Sequence, residues 1–265
     1  MSARVERLPS LAVLVPWQAR FSLRAFLRNP AAVFFSVLLP VLFLVLLSAI
    51  FGNQRLPGRG ISVATYYVPG VAVLGIVSTT FMNLAIQTVV RRERGVLKRL
   101  RGTPLPPLAY VLGEVAASCL LALLMVAVVI AVGGLLFGVA VPGTPLTAVA
   151  IGTVVGAASF SALGLALAAA IPNEQSAPAV ANAMALPLYF VSGLFFDVDR
   201  APAWLVTVAE IFPLKHLLEV FLRAFEPGAT GVPLALGDLA VVVGWGAFGV
   251  VLAARSFRWT PRGRD

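Results

Sequence analysis

An all-α integral membrane protein is the fold class this sequence predicts, and three observations predict it. Of 265 residues, 60% are hydrophobic and only 12% charged, against about 45–50% and about 25% in soluble domains. The apolar residues gather into six runs, each near the roughly 20 residues that cross about 30 Å of hydrocarbon as a helix. The basic residues, which give a formal net charge of +9, fall almost entirely between and outside those runs. In a soluble chain such a charge would suggest nucleic acid. Here Arg in surface segments and against anionic headgroups accounts for it.

Residues 1–30 do not read as a signal peptide, because the charged part is long and no small-residue cleavage pattern follows. Arg20, Arg24 and Arg28 recur every four residues, so they share one stripe of a helix, with Ala19, Leu23 and Phe26 on the other side. Trp17 and Phe21 fall close to the Arg stripe. These features predict an interfacial helix lying along the cytoplasmic leaflet. A disordered arm is the other reading.

The first span is expected over Ala31–Phe51, with a kink at Pro40. A short polar turn, Gly52–Ile61, leads to a second span over Val63–Val90. The third runs Val111–Phe137, the fourth Leu146–Ile171, the fifth Ser176–Phe196 and the sixth Leu234–Ala254. Between the fifth and sixth, residues 197–233 carry apolar positions at helical spacing, from Trp204 to Phe225, and Pro213 splits them. Each half is too short to span. Two short amphipathic helices, dipping into the outer leaflet or capping the bundle, are expected there. The chain thus divides into an N-terminal arm (1–30), one six-helix transmembrane domain (31–254) and a basic tail (255–265).

Arg91 to Pro107, between the second and third spans, is the most informative stretch. Arg91, Arg92, Arg94, Lys98, Arg99 and Arg101 crowd its first eleven positions, Gly95 and Gly102 punctuate it, and Pro104, Pro106 and Pro107 close it. Val96, Leu97 and Leu100 form one face of a two-turn helix, with Lys98, Arg99 and Arg101 around the rest. The segment reads either as a positive-inside loop that only sets topology or as a docking element for a cytoplasmic partner. Counting sides with the N-terminus inside gives fifteen Lys and Arg in inner segments and five in outer ones. That bias predicts both termini in the cytoplasm.

Enzymatic signatures do not occur. There is no GxxxxGK[ST], GxSxG or HExxH, and one His (His216) and one Cys (Cys119) exclude His-cluster and Cys-based metal sites. No catalytic and no metal-binding residues are expected. Within the spans only Glu114 and Asp238 are charged, both near ends where they can reach the interface. So few carboxylates argue against an ion-coupled carrier. Asn83, Gln87, Asn182 and Tyr189 are neutral polar residues on the second and fifth spans. They read as interhelical hydrogen-bonding groups or as the lining of a translocation path. Gly152 with Gly156, and Gly244, Gly246 and Gly249, are expected at close helix contacts. His216 is expected near Glu219.

With those residues in hand, the chain resembles the permease subunit of an ABC exporter of the type-2 class, which includes bacterial drug, antibiotic and lipid efflux permeases. Glu93–Glu114, ERGVLKRLRGTPLPPLAYVLGE, carries most of the resemblance. RNPAAVFFSVLLPVLF from Arg28, NEQSAPAVANAMALPLYFVSGLFF from Asn173, FPLKHLLEVFLRAF from Phe212 and FRW at Phe257 add to it. The resemblance implies six transmembrane helices, an N-terminal interfacial helix, a cytoplasmic coupling helix between helices 2 and 3, and a re-entrant helical pair before helix 6. It implies two permeases per transporter, identical or related, and two copies of a separate ATPase that binds ATP and Mg. The chain itself would hold no cofactor. Its setting would be a bacterial inner membrane, and its substrate an amphiphile. Carried onto this sequence, Glu93, Arg94, Gly95, Leu97, Lys98, Arg99, Leu100, Arg101, Thr103 and Pro104 would transmit ATPase closure. Glu114 departs from the basic residue expected after Gly113, and pairing with an Arg of the coupling segment is expected for it. A non-transporting membrane scaffold and an ion-coupled carrier are the alternative functions.

Overall fold

Helices run through each apolar stretch, and prolines, glycines and short polar turns end them. The computed structural model describes residues 9–52, 54, 61–194, 202–226, 228–229 and 231–256. The Arg55, Arg59 and Arg200 positions, Asp197, Asp199 and the tail from Phe257 lie outside the described residues. Helix α1 spans Leu11–Leu27. The Asn29 side chain accepts a hydrogen bond from the Ala32 N–H at 3.2 Å, and Pro30 opens the next helix at a position where its missing N–H costs nothing. That helix is α2, Pro30–Phe51. Then come α3 (Val63–Glu93), α4 (Val96–Arg101), α5 (Pro107–Phe137), α6 (Leu146–Ala170), α7 (Ala177–Val191), α8 (Ala203–Ile211), α9 (Pro213–Ala224) and α10 (Leu236–Ser256).

Among the described residues, α2, α3, α5, α6 and α10 are long and apolar enough to cross a membrane. The fifth expected span, Ser176–Phe196, is described as the 15-residue α7 followed by a turn. Fifteen residues rise only about 22 Å. Two π-helical turns interrupt the spans. One, Phe34–Leu38 in α2, lies just ahead of Pro40, which cannot donate to the ladder. The other, Ser78–Met82 in α3, lies where α6 passes so closely that a Cβ on Gly164 would sit 2.7 Å from the Phe81 carbonyl oxygen.

A single main core joins α3 to its neighbours. Val68 and Ile76 of α3 meet Met125 of α5, Phe160 of α6 and Leu214, Leu217 and Phe221 of α9, all nearly or fully buried. By contrast α2, α5 and α10 turn large apolar faces outward, among them Phe35, Leu46, Leu124 and Val250. In a bilayer those faces meet lipid, so their exposure carries no penalty.

Close contacts are found at Gly152, Gly156, Gly246 and Gly249, and the structure names their partners. A Cβ on Gly156 would stand 2.7 Å from the Leu217 methyl group, and one on Gly249 would stand 2.8 Å from the Leu163 amide nitrogen. Gly244 has open space instead. Because the Gly249 neighbour is backbone, Gly249→Leu should force α10 off α6. The cost should be about 1–3 kcal/mol, read as a lower unfolding temperature in detergent.

The segment before α10 forms a helical hairpin hinged at Phe212. Pro213 takes the first position of α9, again using its missing donor harmlessly. At the hinge the Trp245 indole donates to the Ile211 carbonyl at 2.8 Å, and its ring stacks on Phe212 with centroids 5.9 Å apart. Trp245 lies nine residues into α10, about 14 Å below its start. Thus the hinge lies against the middle of α10 rather than at its start. Nearer the start of α10, Asp238 receives His216 Nδ1 at 2.7 Å and Arg223 Nη2 at 3.1 Å. His216 Nε2 is 2.8 Å from the Glu210 carbonyl. So His216, expected only near Glu219 of its own helix, also bonds to Asp238 of the next one, and Asp238 is engaged inside the protein. The antiparallel approach of α9 to α10 decides this pairing.

Candidate functional site

The basic segment after α3 is held by its first arginines and presents its last ones. Gly95 has φ of +69°, a left-handed conformation that reverses the chain between α3 and α4 and that a side chain would strain. In α4, Leu97 is fully buried and Val96 and Leu100 are half-buried, whereas Lys98, Arg99 and Arg101 are exposed. The amphipathic face read from spacing is therefore the face the fold uses. Gly102 ends the helix. Thr103 Oγ1 then donates to the Leu100 carbonyl at 2.6 Å, and the prolines stiffen the path into α5. A cleft of about 280 Å³ opens here, lined by Leu100, Thr103, Pro104 and Pro106 with Tyr110 among its walls.

Each arginine ahead of α4 has a different partner. Arg91 Nη1 donates to Glu114 Oε1 at 2.6 Å and to the Tyr110 hydroxyl at 3.2 Å. Arg92 is fully buried: Nη1 donates to the Ala168 carbonyl at 3.0 Å, and Nη2 to Ile171 at 2.7 Å and Pro172 at 3.2 Å. A helix leaves its last carbonyls unpaired and carries partial negative charge there, so this guanidinium caps the end of α6. Glu93 lies 3.2 Å from Arg92 Nε. Arg94 pairs with Glu174 of the α6–α7 turn at 3.2 Å on the surface.

Glu114 does not reach the interface, as its position near a span end suggested. It is 3% exposed, and its Oε1 also accepts Gln18 Nε2 at 3.0 Å and the Ser22 hydroxyl. Gly113 makes this possible. A Cβ there would run into the Gln18 side chain, so only glycine lets α1 lie against α5 at this level. The expected pairing of Glu114 with an arginine of the segment is met by Arg91. A buried carboxylate persists where partners satisfy its charge and lone pairs, and here α1 supplies two, Gln18 and Ser22, and α3 supplies Arg91. The helix α1 thus packs on α5 through Ala19, Ser22 and Phe26, while Arg20, Arg24, Trp17 and Phe21 are exposed and Arg28 follows its last residue.

The other polar candidates are not gathered into one place. Asn83 and Gln87 are half-buried on α3. Tyr189 is buried against the π-helical turn, 3.4 Å from both Ser78 Oγ and the Met82 sulfur. Asn182 is exposed and donates to the Pro178 carbonyl of its own helix at 2.8 Å. It makes that local bond because an amide on an apolar face is satisfied most simply by the turn beneath it. Sequence reasoning counted Arg92 only as one more basic residue, and it missed Gln18 and Ser22. The signals for them were a double Arg at the end of a span and a lone Glu in an apolar helix.

A family model described as ABC-2 type transporter matches residues 17–225, from α1 through the α8–α9 hairpin. The transport permease YvfS of Bacillus subtilis (strain 168) is 22% identical over 199 residues, covering 75% of this chain and 80% of that one. The daunorubicin resistance ABC transporter permease protein DrrB1 of Streptomyces coeruleorubidus is 25% identical over 203 residues, covering 76% of this chain and 69% of that one.

Proposed function

Because the chain belongs to the ABC-2 type transporter family of membrane permeases, we propose that it is the transmembrane subunit of an ATP-driven exporter. Its substrate is an amphiphile of the drug, antibiotic or lipid-like class. A separate ATPase supplies the energy, in two copies, and binds the ATP and Mg. A second permease, identical or related, completes the transporter. The membrane is the bacterial inner membrane, with both termini and α4 in the cytoplasm, as the fifteen-to-five distribution of Lys and Arg favours.

One observation carries the reading. A short helix with an exposed cationic face is rigidly tied, through Arg91, Arg92 and Arg94, to α5, α6 and the α6–α7 turn. A loop that only set topology would need charge but no such anchoring. In this reading Lys98, Arg99, Arg101, Thr103 and Pro104 touch the ATPase, and the nearby cleft receives one of its side chains. Leu97 and Leu100 hold the helix, Gly95 sets its angle, and Glu93 and Arg94 brace its base. ATP binding draws the two ATPases together and pushes α4. The spans tied to it switch from inward- to outward-facing, biased by the nucleotide's preference for one state. Asn83, Gln87, Asn182 and Tyr189, on α3 and α7, line the path. The name of the Streptomyces relative, a daunorubicin resistance permease, favours export of an amphiphile.

The test is charge reversal of the exposed face, Lys98→Glu with Arg99→Glu and Arg101→Glu. These side chains are exposed, so the unfolding temperature should stay within a few degrees of wild type. Co-purification of the ATPase should fall at least about tenfold, and ATP-dependent export should be lost with it. A variant that still binds its ATPase and exports normally would return this segment to a topology signal. Export that continues without ATP would favour an ion-coupled carrier.

A further inference from the structure

Beneath the hinge of the re-entrant hairpin lies a cavity of about 1030 Å³ between α6, α7 and α10. Phe160 and Leu163 of α6 form one wall and Met184 and Leu188 of α7 another. The stacked Phe212 and Trp245 rings close one end, and Arg255 stands at the other. From Trp245 to Arg255 is ten residues of α10, about 15 Å, which is half of the roughly 30 Å hydrocarbon thickness. The slot therefore runs from mid-bilayer to headgroup level within a single leaflet. Apart from Arg255 and Ser256 at one end, its lining is apolar or aromatic.

Among the described residues Arg255 is the only charged one that lines the slot, and it is exposed. Among the described residues no acid pairs with it. A guanidinium at headgroup level with no acidic partner among the described residues matches a phosphate, which it can bind through two parallel hydrogen bonds. We infer that this slot binds an anionic glycerophospholipid of the surrounding bilayer. One acyl chain lies between α7 and α10 with its methyl end under Trp245, and the headgroup phosphate is on Arg255. The bound chain keeps α7 and α10 apart and so supports the hairpin hinge above it. This inference rests on the fold alone and stands whether or not α4 docks an ATPase.

Bromine on an acyl chain quenches tryptophan on contact, and Trp245 is built into the slot as a reporter. The full chain, with Trp17, Trp204 and Trp259 replaced by Phe, would be placed in phosphatidylcholine vesicles. These would contain increasing fractions of phosphatidylglycerol brominated near the methyl end, or of phosphatidylcholine brominated alike. The anionic lipid should half-quench Trp245 at about one-fifth of the fraction the zwitterionic lipid needs, as expected for one basic residue at the surface. Arg255→Gln, at an exposed site, should abolish that ratio while leaving quenching by both lipids. Ala183→Phe, which fills the slot from α7, should weaken quenching by both. Equal quenching by the two lipids in the parent protein would overturn the proposal, as would a preference that survives Arg255→Gln. Quenching by neither lipid would also overturn it and point to a second copy of the chain covering the slot.

Discussion

Glu114→Ala is expected to lower the unfolding temperature by roughly 10 °C and to abolish export. The carboxylate is 3% exposed and holds Arg91, Gln18 and Ser22 at once. Removing one partner of a buried ion pair costs about 3–5 kcal/mol, because the other charge is left without compensation. In a chain of this size that corresponds to roughly 10 °C or more. Glu114→Gln should fall between: it can still accept from Ser22 and Gln18, but it offers Arg91 no charge. The double variant Arg91→Met with Glu114→Leu separates stability from coupling. Apolar replacement of a whole buried pair is commonly neutral or stabilising, so its unfolding temperature should return to within about 3 °C of wild type. Its export should stay low, because α1 has lost its tie to the base of α4. Thermal unfolding and transport assays on the three variants decide the matter. Full export by the stable double variant would show that the knot only stabilises the fold.

Arg92→Met is the second large effect. The side chain volume is similar, but three carbonyls at the end of α6 lose their donor. Hydrogen bonds from a charged donor contribute about 1.5–3 kcal/mol each when deleted singly. They share one guanidinium and are not additive, so about 3–4 kcal/mol is the expected loss. Arg92→Lys should rescue little. A single ammonium cannot fork from Ala168 to Ile171, and it is more strongly hydrated when free. Hydrogen exchange should locate the damage. Amides of residues 168–176 should lose protection in Arg92→Met, while those in the core of α3 around Ile76 keep theirs. Unchanged protection at 168–176 would mean that the α6 terminus is held by its packing alone.

Reading these sites from the chain succeeded where the physics is local. The face of α4 was legible because three apolar positions at helical spacing leave only one way to bury them. The spans were legible because length and hydropathy suffice for that decision. Gly156 and Gly249 were legible as contacts, though not with Leu217 and Leu163 as their partners. Arg92 was not legible: it stands between Arg91 and Glu93 in a run of charges, and only the arrival of α6 distinguishes it. Glu114 was half legible. A lone carboxylate in an apolar helix demands a partner, and an arginine of the basic segment was the natural choice. That Gln18 and Ser22 also join it depends on α1 lying across α5 at Gly113. The fifth span was legible as an apolar stretch but not as a 15-residue helix, because a helix of marginal length with Pro187 inside it leaves its ends to its neighbours.

Composition and spacing by themselves determined that this is a helical membrane protein with a basic amphipathic helix between its second and third spans. Both follow from terms that act residue by residue: transfer of apolar groups into hydrocarbon, and helical periodicity. Only the tertiary structure decided which arginine is buried, which carboxylate is paired, and how deep the hairpin hinge reaches. It alone also formed the slot that separates α7 from α10. Those outcomes depend on contacts between residues 22 to 96 positions apart. Burial turns such contacts from optional surface pairs into obligatory ones, and the chain reveals burial only after its helices have met.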